Sequence, residues 1–218
     1  MPSPFDQSTY QVRFDWGVDG LSRLAPADVV VVVDVLRFSS TVADAVAAGT
    51  TVALADAVEW SRNGAAAAVA AGGTPVLLGG LRNASAVARA VAALQERRQA
   101  RTSVAVIAAG EVDAEGVLRF AVEDQLGAGA IIAALTDLGI DHTAPDAAVA
   151  AEGFRALRRA LRHMISASGS AREILDGVAA TDRMSASGLE PTSVAEAAEL
   201  DALTVVPVLQ DGVFVAFE

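Results

Sequence analysis

Short apolar runs along the chain predict strands, and the alanine-rich stretches between them predict helices. The clearest run is Val29–Val33, five valines in succession, which is typical of a strand buried on both faces of a sheet. A helix is predicted at residues 42–48, and Gly49 is well placed to end it. This part of the chain is therefore expected to be a central strand followed by a helix.

Similar runs predict the remaining strands, at residues 10–14, 51–55, 75–79, 103–109, 204–209 and 213–217. Helices, or loops that lead into helices, are predicted at residues 58–71, 81–98, 123–135, 147–166, 168–179 and 193–200, and a loop is predicted at residues 16–26. Strands that alternate with helices indicate a three-layer α/β/α architecture. Because Gln210-Asp211-Gly212 favours a hairpin between the last two strands, we expect a mixed, mostly parallel sheet.

The helix predicted at residues 123–135 contains two glycines, Gly127 and Gly129. A glycine in a helix interior costs roughly 1 kcal/mol relative to alanine. We therefore expect a neighbouring helix or a ligand to approach the backbone closely at these positions.

Composition excludes several classes of function. The 218 residues are 53% hydrophobic but only 5% aromatic, so the core is expected to consist of small, closely packed side chains. A net charge of −11 argues against nucleic acid and anionic membranes as partners, because both bind basic surfaces. The absence of cysteine excludes disulfides, thiolate catalysis and Cys-ligated zinc. Since neither a secretory signal nor a membrane-length apolar segment is visible, a cytoplasmic location is expected.

Polar side chains collect where the valine run ends. Asp34 and Arg37 follow the strand, and Ser39, Ser40 and Thr41 are candidate caps for the next helix. Open α/β sheets bind ligands at the carboxyl ends of their strands, and a helix N-terminus favours anions. An alternative stays open, in which Asp34 and Arg37 pair with each other and only close a loop.

An internal repeat places a second arginine after another strand. Residues 36–48 (LRFSSTVADAVAA) and residues 81–93 (LRNASAVARAVAA) agree at nine of thirteen positions. We interpret this as a structural duplication, which would make residues 1–218 one α/β domain with two related halves. Arg37 and Arg82 would then occupy equivalent strand ends and converge on one anion, because a guanidinium fork matches phosphate or sulfonate oxygens.

Several segments resemble the 2-phosphosulfolactate phosphatase (ComB) family, in the order in which that family has them. They are VVVDVLRFSST at residues 31–41, NG at 63–64, LRNASAVA at 81–88, IAAGE at 107–111, VEDQLGAGAII at 122–132, SGSAREIL at 168–175 and ELDALTVVPVLQDG at 199–212. The most specific parts are Asp-Val-Leu-Arg and Glu-Asp-x-x-Gly-Ala-Gly. The resemblance covers most of the chain from Asp28 onward.

The resemblance implies a ComB-like α/β fold, a homodimer and a magnesium-dependent phosphatase that hydrolyses a small phosphorylated sulfonate. The chain departs from the family in three places. Gly-Glu-Arg and Gly-Asn-Ser-Pro segments are missing before Asn63, Ala108 stands where a cysteine is usual, and Ser61-Arg62 replaces threonines. A substrate-facing wall is therefore expected to be absent.

The retained residues suggest roles on this basis. The expected catalytic residues are Asp34 and Arg37, and the expected substrate-binding residues are Arg82, Asn83, Ser40, Thr41, Asn63 and Gly64. The candidate magnesium ligands are Asp34, Glu111, Glu123 and Asp124, because Mg²⁺ prefers hard oxygen donors. Glu123 and Asp124 are adjacent and point about 100° apart on a helix, so one is expected to cap the helix while Asp124 faces the site.

Two questions remain open at the level of sequence. Attack by a water that the metal orients is the simplest chemistry, and an aspartyl-phosphate on Asp34 is the alternative. The protein is expected to be a phosphatase, or else a non-catalytic relative that binds a small phosphorylated or sulfonated metabolite. Serine hydrolase chemistry and dinucleotide binding are unsupported, because the Gly-x-Ser-x-Gly and Gly-x-Gly-x-x-Gly motifs are absent.

Overall fold

The computed structural model describes residues 3–113, 115–177 and 179–218. Its strands are β1 (Val12–Trp16), β2 (Val29–Val33), β3 (Val52–Ala53), β4 (Val76–Gly79), β5 (Val104–Ala108), β6 (Glu111–Val112), β7 (Leu118–Arg119), β8 (Pro207–Gln210) and β9 (Val213–Ala216). Its α-helices are α1 (Gly17–Arg23), α2 (Phe38–Ala47), α3 (Leu54–Val58), α4 (Gly64–Ala70), α5 (Ala84–Arg98), α6 (Val122–Asp137), α7 (Pro145–Leu157), α8 (Leu161–Ser166), α9 (Gly169–Asp176), α10 (Ala179–Ala186) and α11 (Val194–Ala197). Among the described residues, no helix is both long and apolar enough to cross a membrane.

Seven strands form one sheet in the order β1-β5-β2-β4-β8-β9-β3, and β6 and β7 form a separate hairpin. Neighbours among β1, β5, β2 and β4 are parallel, whereas β8, β9 and β3 join by antiparallel pairing. The β8–β9 turn has positive φ at Asp211 and Gly212, which suits a tight hairpin. The prediction of a mixed, mostly parallel sheet is confirmed.

Helices cover both faces of the sheet, which confirms the three-layer architecture. Val31 and Val33 of β2 face a core that also contains residues of α5, α6 and α7. Val30 and Val32 face a second core that contains residues of α2, α3 and α4. An unbroken valine run satisfies both cores, because successive side chains of a strand point to opposite faces.

The strand order creates a crevice at the ends of β2 and β5. The two strands are adjacent and parallel, yet α2, which follows β2, and α6, which comes next in the chain after the β6–β7 hairpin, pack on opposite faces of the sheet. Two adjacent strands whose following helices separate in this way leave a gap at their carboxyl ends. Asp34 lies at this gap, as does the β6–β7 hairpin.

The glycines of α6 allow close packing, as the sequence predicted. A Cβ at Gly127 would lie 2.7 Å from Cγ2 of Val35, and a Cβ at Gly129 would lie 2.2 Å from the carbonyl oxygen of Ala150 in α7. The close neighbours are therefore the end of the central strand and a helix. Either a neighbouring helix or a ligand was expected at these glycines, and the structure places a helix, α7, against Gly129.

Three predictions about elements are corrected. Residues 16–26, predicted as a loop, contain α1, whose glycine-rich sequence is a poor helix former and whose Leu21 packs against the core. Residues 147–166 are not one helix, because a 3₁₀ turn at Arg158–Ala160 separates α7 from α8. No pattern in the sequence predicted helix α10, whose Met184 packs into the second core. In α1 and α10, tertiary packing compensates for a weak local preference.

Candidate active site

Asp34 follows β2 directly, and its carboxylate is fixed by two backbone groups. Oδ1 accepts a hydrogen bond from the N–H of Phe38 at 3.1 Å, and Oδ2 accepts one from the N–H of Gly64 at 3.2 Å. The anion that the N-terminus of α2 favours is therefore the chain's own Asp34. Burial raises the pKa of Asp34 to about 7, the two hydrogen bonds oppose this, and the negative charges of Glu111 and Glu123 add to it.

Asp124 joins the ends of the two central strands. Its Oδ1 accepts a hydrogen bond from the N–H of Val35 at 2.8 Å, and its Oδ2 accepts one from the N–H of Gly110 at 2.9 Å. Burial, together with the charges of Asp34 and Glu123, raises the pKa of Asp124 well above its usual range. Asp124 was expected to face the site. In the structure both of its oxygens are instead occupied by backbone N–H groups.

A cleft of about 640 Å³ opens beside Asp34. Its walls come from the end of β2, the loop before α4, the β6–β7 hairpin and helices α9 and α10. The charged and amide side chains in its lining are Asp34, Arg37, Arg62, Asn63, Glu111, Asp113, Arg119, Glu173, Asp176 and Arg183. The site expected from the sequence at the end of β2 therefore coincides with a cavity that a small metabolite can enter.

Four arginines line the cleft, and none of them forms an ion pair with a carboxylate among the described residues. Arg37 is half-buried, and this burial lowers the pKa of its guanidinium. Arg62, Arg119 and Arg183 are exposed. The cleft thus presents four arginines that form no ion pair within the described part of the chain, beside the five carboxylates of the same lining, in a protein with a net charge of −11.

Arg82 lies apart from the cleft lining, so the structure does not bring Arg37 and Arg82 together. Arg82 donates to Asp44 at 2.5 Å, and Asp44 also accepts from the hydroxyl of Thr192. The two repeated segments do follow adjacent parallel strands, β2 and β4. However, α2 and α5 pack on opposite faces of the sheet, so equal positions in the repeat have different surroundings. The duplication itself stays a prediction.

Three other expected substrate-binding residues stabilise the fold instead. The Ser40 hydroxyl donates to the carbonyl of Val35, and the Thr41 hydroxyl accepts from the N–H of Thr192. The Asn83 side chain donates to two carbonyls and accepts from one N–H, and it is 2% exposed. The polar atoms of these side chains are thus engaged within the protein.

Asn63 and Trp60, in contrast, leave polar atoms without a partner at the cleft. The Asn63 side chain donates to the carbonyl of Gly110 at 2.9 Å, and its Oδ1 is buried without a hydrogen bond among the described residues. The same holds for Nε1 of Trp60, a cleft residue that is 3% exposed. A buried polar atom without a partner is costly, so both atoms are candidates to contact a bound ligand.

The polar groups near Asp34 are oxygen donors, the type that a hard cation prefers. The negative charges of Glu111 and Glu123 each raise the pKa of Asp34, and Oδ1 of Asn63 is a buried acceptor that lacks a donor. Within the described residues no three acidic or histidine side chains converge closely enough to hold a metal by themselves. Mg²⁺ commonly takes only one or two carboxylates and completes its shell with water and phosphate.

Several cleft residues were not identified from the sequence. Arg62 had a usable signal, because it precedes the Asn63-Gly64 turn. Arg119 sits in the second strand of the β6–β7 hairpin, directly opposite Glu111. Glu173 and Arg183 come from α9 and α10, and nothing in their local sequence indicates that these helices reach the end of β2.

Comparison with known proteins gives the class of this molecule. No curated protein matches the chain. A family model described as 2-phosphosulpholactate phosphatase matches residues 50–212 of the 218. The match contains Asn63, Glu111, Arg119 and Arg183, whereas Asp34 precedes it. The chain therefore belongs to the 2-phosphosulpholactate phosphatase family, a family of phosphatase-type hydrolases.

Proposed function

We propose that this protein is a magnesium-dependent phosphatase that hydrolyses a small phosphate monoester bearing a second acidic group. The family supports the class of reaction. The observation that carries the proposal is that Asp34 and Arg37 lie in one cleft. Asp34 is a buried carboxyl with a pKa of about 7, and Arg37 is a half-buried cation without a carboxylate partner among the described residues. The first compound to test is 2-phosphosulfolactate.

Arg37 is the proposed ligand of the phosphoryl group. Removing a guanidinium from water is costly unless an anion compensates it, and phosphate oxygens match the planar fork of arginine. Arg62, Arg119 and Arg183 line the same cleft and are exposed. These exposed cations suit a sulfonate or carboxylate on the remainder of the substrate.

Asp34 and the amide oxygen of Asn63 are the proposed donors for Mg²⁺, and water and the substrate phosphate would complete its shell. Glu111 and Glu123 add negative charge near Asp34 without forming a three-carboxylate metal site among the described residues. The ion would neutralise phosphate charge and lower the pKa of a water when it is bound there. The two backbone hydrogen bonds to Asp34 hold its carboxylate in one orientation, which is useful both for a ligand and for a nucleophile.

The chain's residues allow two routes for bond cleavage. In the first, a water oxygen forms the new bond to phosphorus, the ester P–O bond breaks, and the alcohol leaves with a proton. In the second, an oxygen of Asp34 forms that bond first, and water then hydrolyses the aspartyl-phosphate. Both routes yield the alcohol and inorganic phosphate. Trapping with hydroxylamine distinguishes them, because only the second gives a reactive acyl-phosphate.

A second candidate is a non-catalytic relative that binds the same class of metabolite. The observation favouring it is that both oxygens of Asp34 and both oxygens of Asp124 already accept backbone hydrogen bonds. Such carboxylates have less capacity left for a metal or for attack. In this case the cleft would bind phosphate without releasing it from an ester.

The test is phosphate release from 2-phosphosulfolactate and a panel of small phosphate monoesters, with Mg²⁺ and with EDTA. We expect turnover that requires Mg²⁺ and that Asp34→Asn abolishes. The exposed Asp141→Asn serves as the matched control and should retain wild-type turnover. Absence of turnover in a folded protein that still binds inorganic phosphate would favour the second candidate.

The homodimer implied by the family resemblance is part of the proposal. Light scattering coupled to size-exclusion chromatography measures the molar mass against the 22.2 kDa chain. A mass near that of one chain would contradict it.

A further inference from the structure

Helix α10 forms one wall of the cleft although it is remote in sequence from the strands that hold Asp34. Arg183 donates from Nε to the carbonyl of Glu59 at 3.0 Å, just before the turn that carries Asn63. Met184 is 3% exposed and belongs to the same apolar cluster as Phe38 and Trp60. The helix is therefore anchored by one polar contact and one apolar contact beside the site.

A third contact joins α10 to the proposed anion-binding residue. Arg37 donates a hydrogen bond from Nη2 to the hydroxyl of Thr181, and the two residues are 144 positions apart. A hydroxyl accepts this bond but carries no charge. The guanidinium is thus held in place while its positive charge stays available to a ligand.

Arg82, the other arginine of the internal repeat, has a carboxylate that compensates its charge. Arg82 is also partly buried, and it is paired with the carboxylate of Asp44. Arg37 has no such carboxylate among the described residues and is held by Thr181 instead. A half-buried cation that is held without being neutralised is suited to an incoming anion.

We propose that Thr181 is a positioning residue that holds Arg37 for a phosphate-like dianion, so that α10 sets the affinity of the cleft for this ligand. This inference rests on the proposed function for the identity of the anion. It assigns Thr181 no contact with the reacting atoms.

The test compares three variants at Thr181 with a control on the same helix. Thr181→Val keeps the shape and removes the hydroxyl, Thr181→Ser keeps the hydroxyl, and Thr181→Asp puts a carboxylate next to Arg37. The control is Ser185→Ala, because Ser185 is exposed on α10. Binding of inorganic phosphate is measured by calorimetry, and kcat and KM are measured for any ester that the wild-type protein hydrolyses.

We expect Thr181→Val to raise the Kd for inorganic phosphate about fivefold, which corresponds to the net effect of one hydrogen bond. Thr181→Ser should stay within about twofold of wild type, and Thr181→Asp should weaken binding by more than about tenfold because it neutralises Arg37. KM should follow the Kd while kcat changes little, a split that general loss of structure would not produce. Ser185→Ala should behave as wild type.

Wild-type phosphate affinity in both Thr181→Val and Thr181→Asp would overturn the inference. If Thr181→Val does not fold, Thr181→Asp and Thr181→Ser decide the question by themselves. Phosphate binding that depends on Thr181 in a protein without phosphatase turnover would support the inference and contradict the proposed function. Phosphatase turnover whose KM is the same in all three variants would support the proposed function and contradict the role of Thr181.

Discussion

The backbone N–H of Gly64 donates a hydrogen bond to Oδ2 of Asp34 at 3.2 Å, across 30 positions of sequence. The same oxygen would lie 2.5 Å from a Cβ at position 64. The first residue of α4 therefore touches the carboxylate that follows the central strand, and only glycine leaves room for it. The Asn63-Gly64 turn thus serves the candidate site in two ways, through the free amide oxygen of Asn63 and through this contact.

Gly64→Ala should impair the site more than the fold. The new methyl group would displace the Asp34 carboxylate or the ring of Phe38, so phosphatase turnover should fall by roughly 10²-fold. The free energy of unfolding should fall by about 1–3 kcal/mol. Steady-state kinetics and urea denaturation measure the two effects. Gly73→Ala is the matched control, because a Cβ there meets open space; equal effects of the two substitutions would contradict the prediction.

Asp34 should make folding stability depend on pH. Its folded-state pKa is about 7 against an ordinary value of 3.8, so the folded protein keeps a proton that the unfolded chain releases between these values. The contribution of Asp34 to stability is therefore fully present below about pH 4 and is lost as the pH rises through about 7. Relative to Asp34→Asn, the wild-type protein should lose roughly 2–4 kcal/mol of unfolding free energy across this window.

Chemical denaturation at half-unit pH steps measures this difference between wild type and Asp34→Asn. Curves that run parallel from pH 4 to pH 8 would show that Asp34 has an ordinary pKa. Saturating Mg²⁺ should reduce the loss at high pH if the ion binds the Asp34 carboxylate, because a cation stabilises the ionised form.

Substitution of Arg37 should lower mainly activity, whereas substitution of Arg82 should lower mainly stability. Arg37→Ala removes a cation without a carboxylate partner among the described residues, together with its hydrogen bond to Thr181, so turnover should fall by roughly 10²-fold while stability falls by no more than about 1 kcal/mol. Arg82→Ala leaves Asp44 without its cation, so it should lower stability by about 1–3 kcal/mol. Arg159→Ala, an exposed arginine, is the control for both measurements. A stability loss in Arg37→Ala as large as in Arg82→Ala would contradict this assignment.

Two glycines on facing helices should respond oppositely to alanine. A Cβ at Gly129 of α6 would lie 2.2 Å from the carbonyl of Ala150, so Gly129→Ala should destabilise the protein by about 1–3 kcal/mol or more. A Cβ at Gly153 of α7 meets open space, so Gly153→Ala should stabilise it by roughly 0.5–1 kcal/mol. Thermal unfolding of both variants measures the signs, and destabilisation by both would show that α7 cannot accept a methyl group.

The central strand, the architecture and the place of the first catalytic candidate could be predicted from the amino-acid sequence. Five consecutive valines specify a strand buried on both faces, and the adjacent Asp34 and Arg37 mark its carboxyl end. These features could be predicted because they depend on neighbours within a few residues, where side-chain periodicity and capping act.

Which charged residues share the cleft depends on the packing of the whole chain and could not be predicted from local sequence. Arg37 and Arg82 have the same local sequence, but their helices pack on opposite faces of the sheet because of the strand order, and one arginine meets Thr181 while the other meets Asp44. Asp124 is not among the residues that line the cleft. Its two oxygens accept hydrogen bonds from backbone N–H groups at the ends of two strands, which only the folded sheet brings together. Arg183 reaches the cleft on α10, which no local pattern could place there. The physical reason is that a local sequence fixes where a side chain stands on its own element, whereas its partners depend on which elements the whole chain packs against that one.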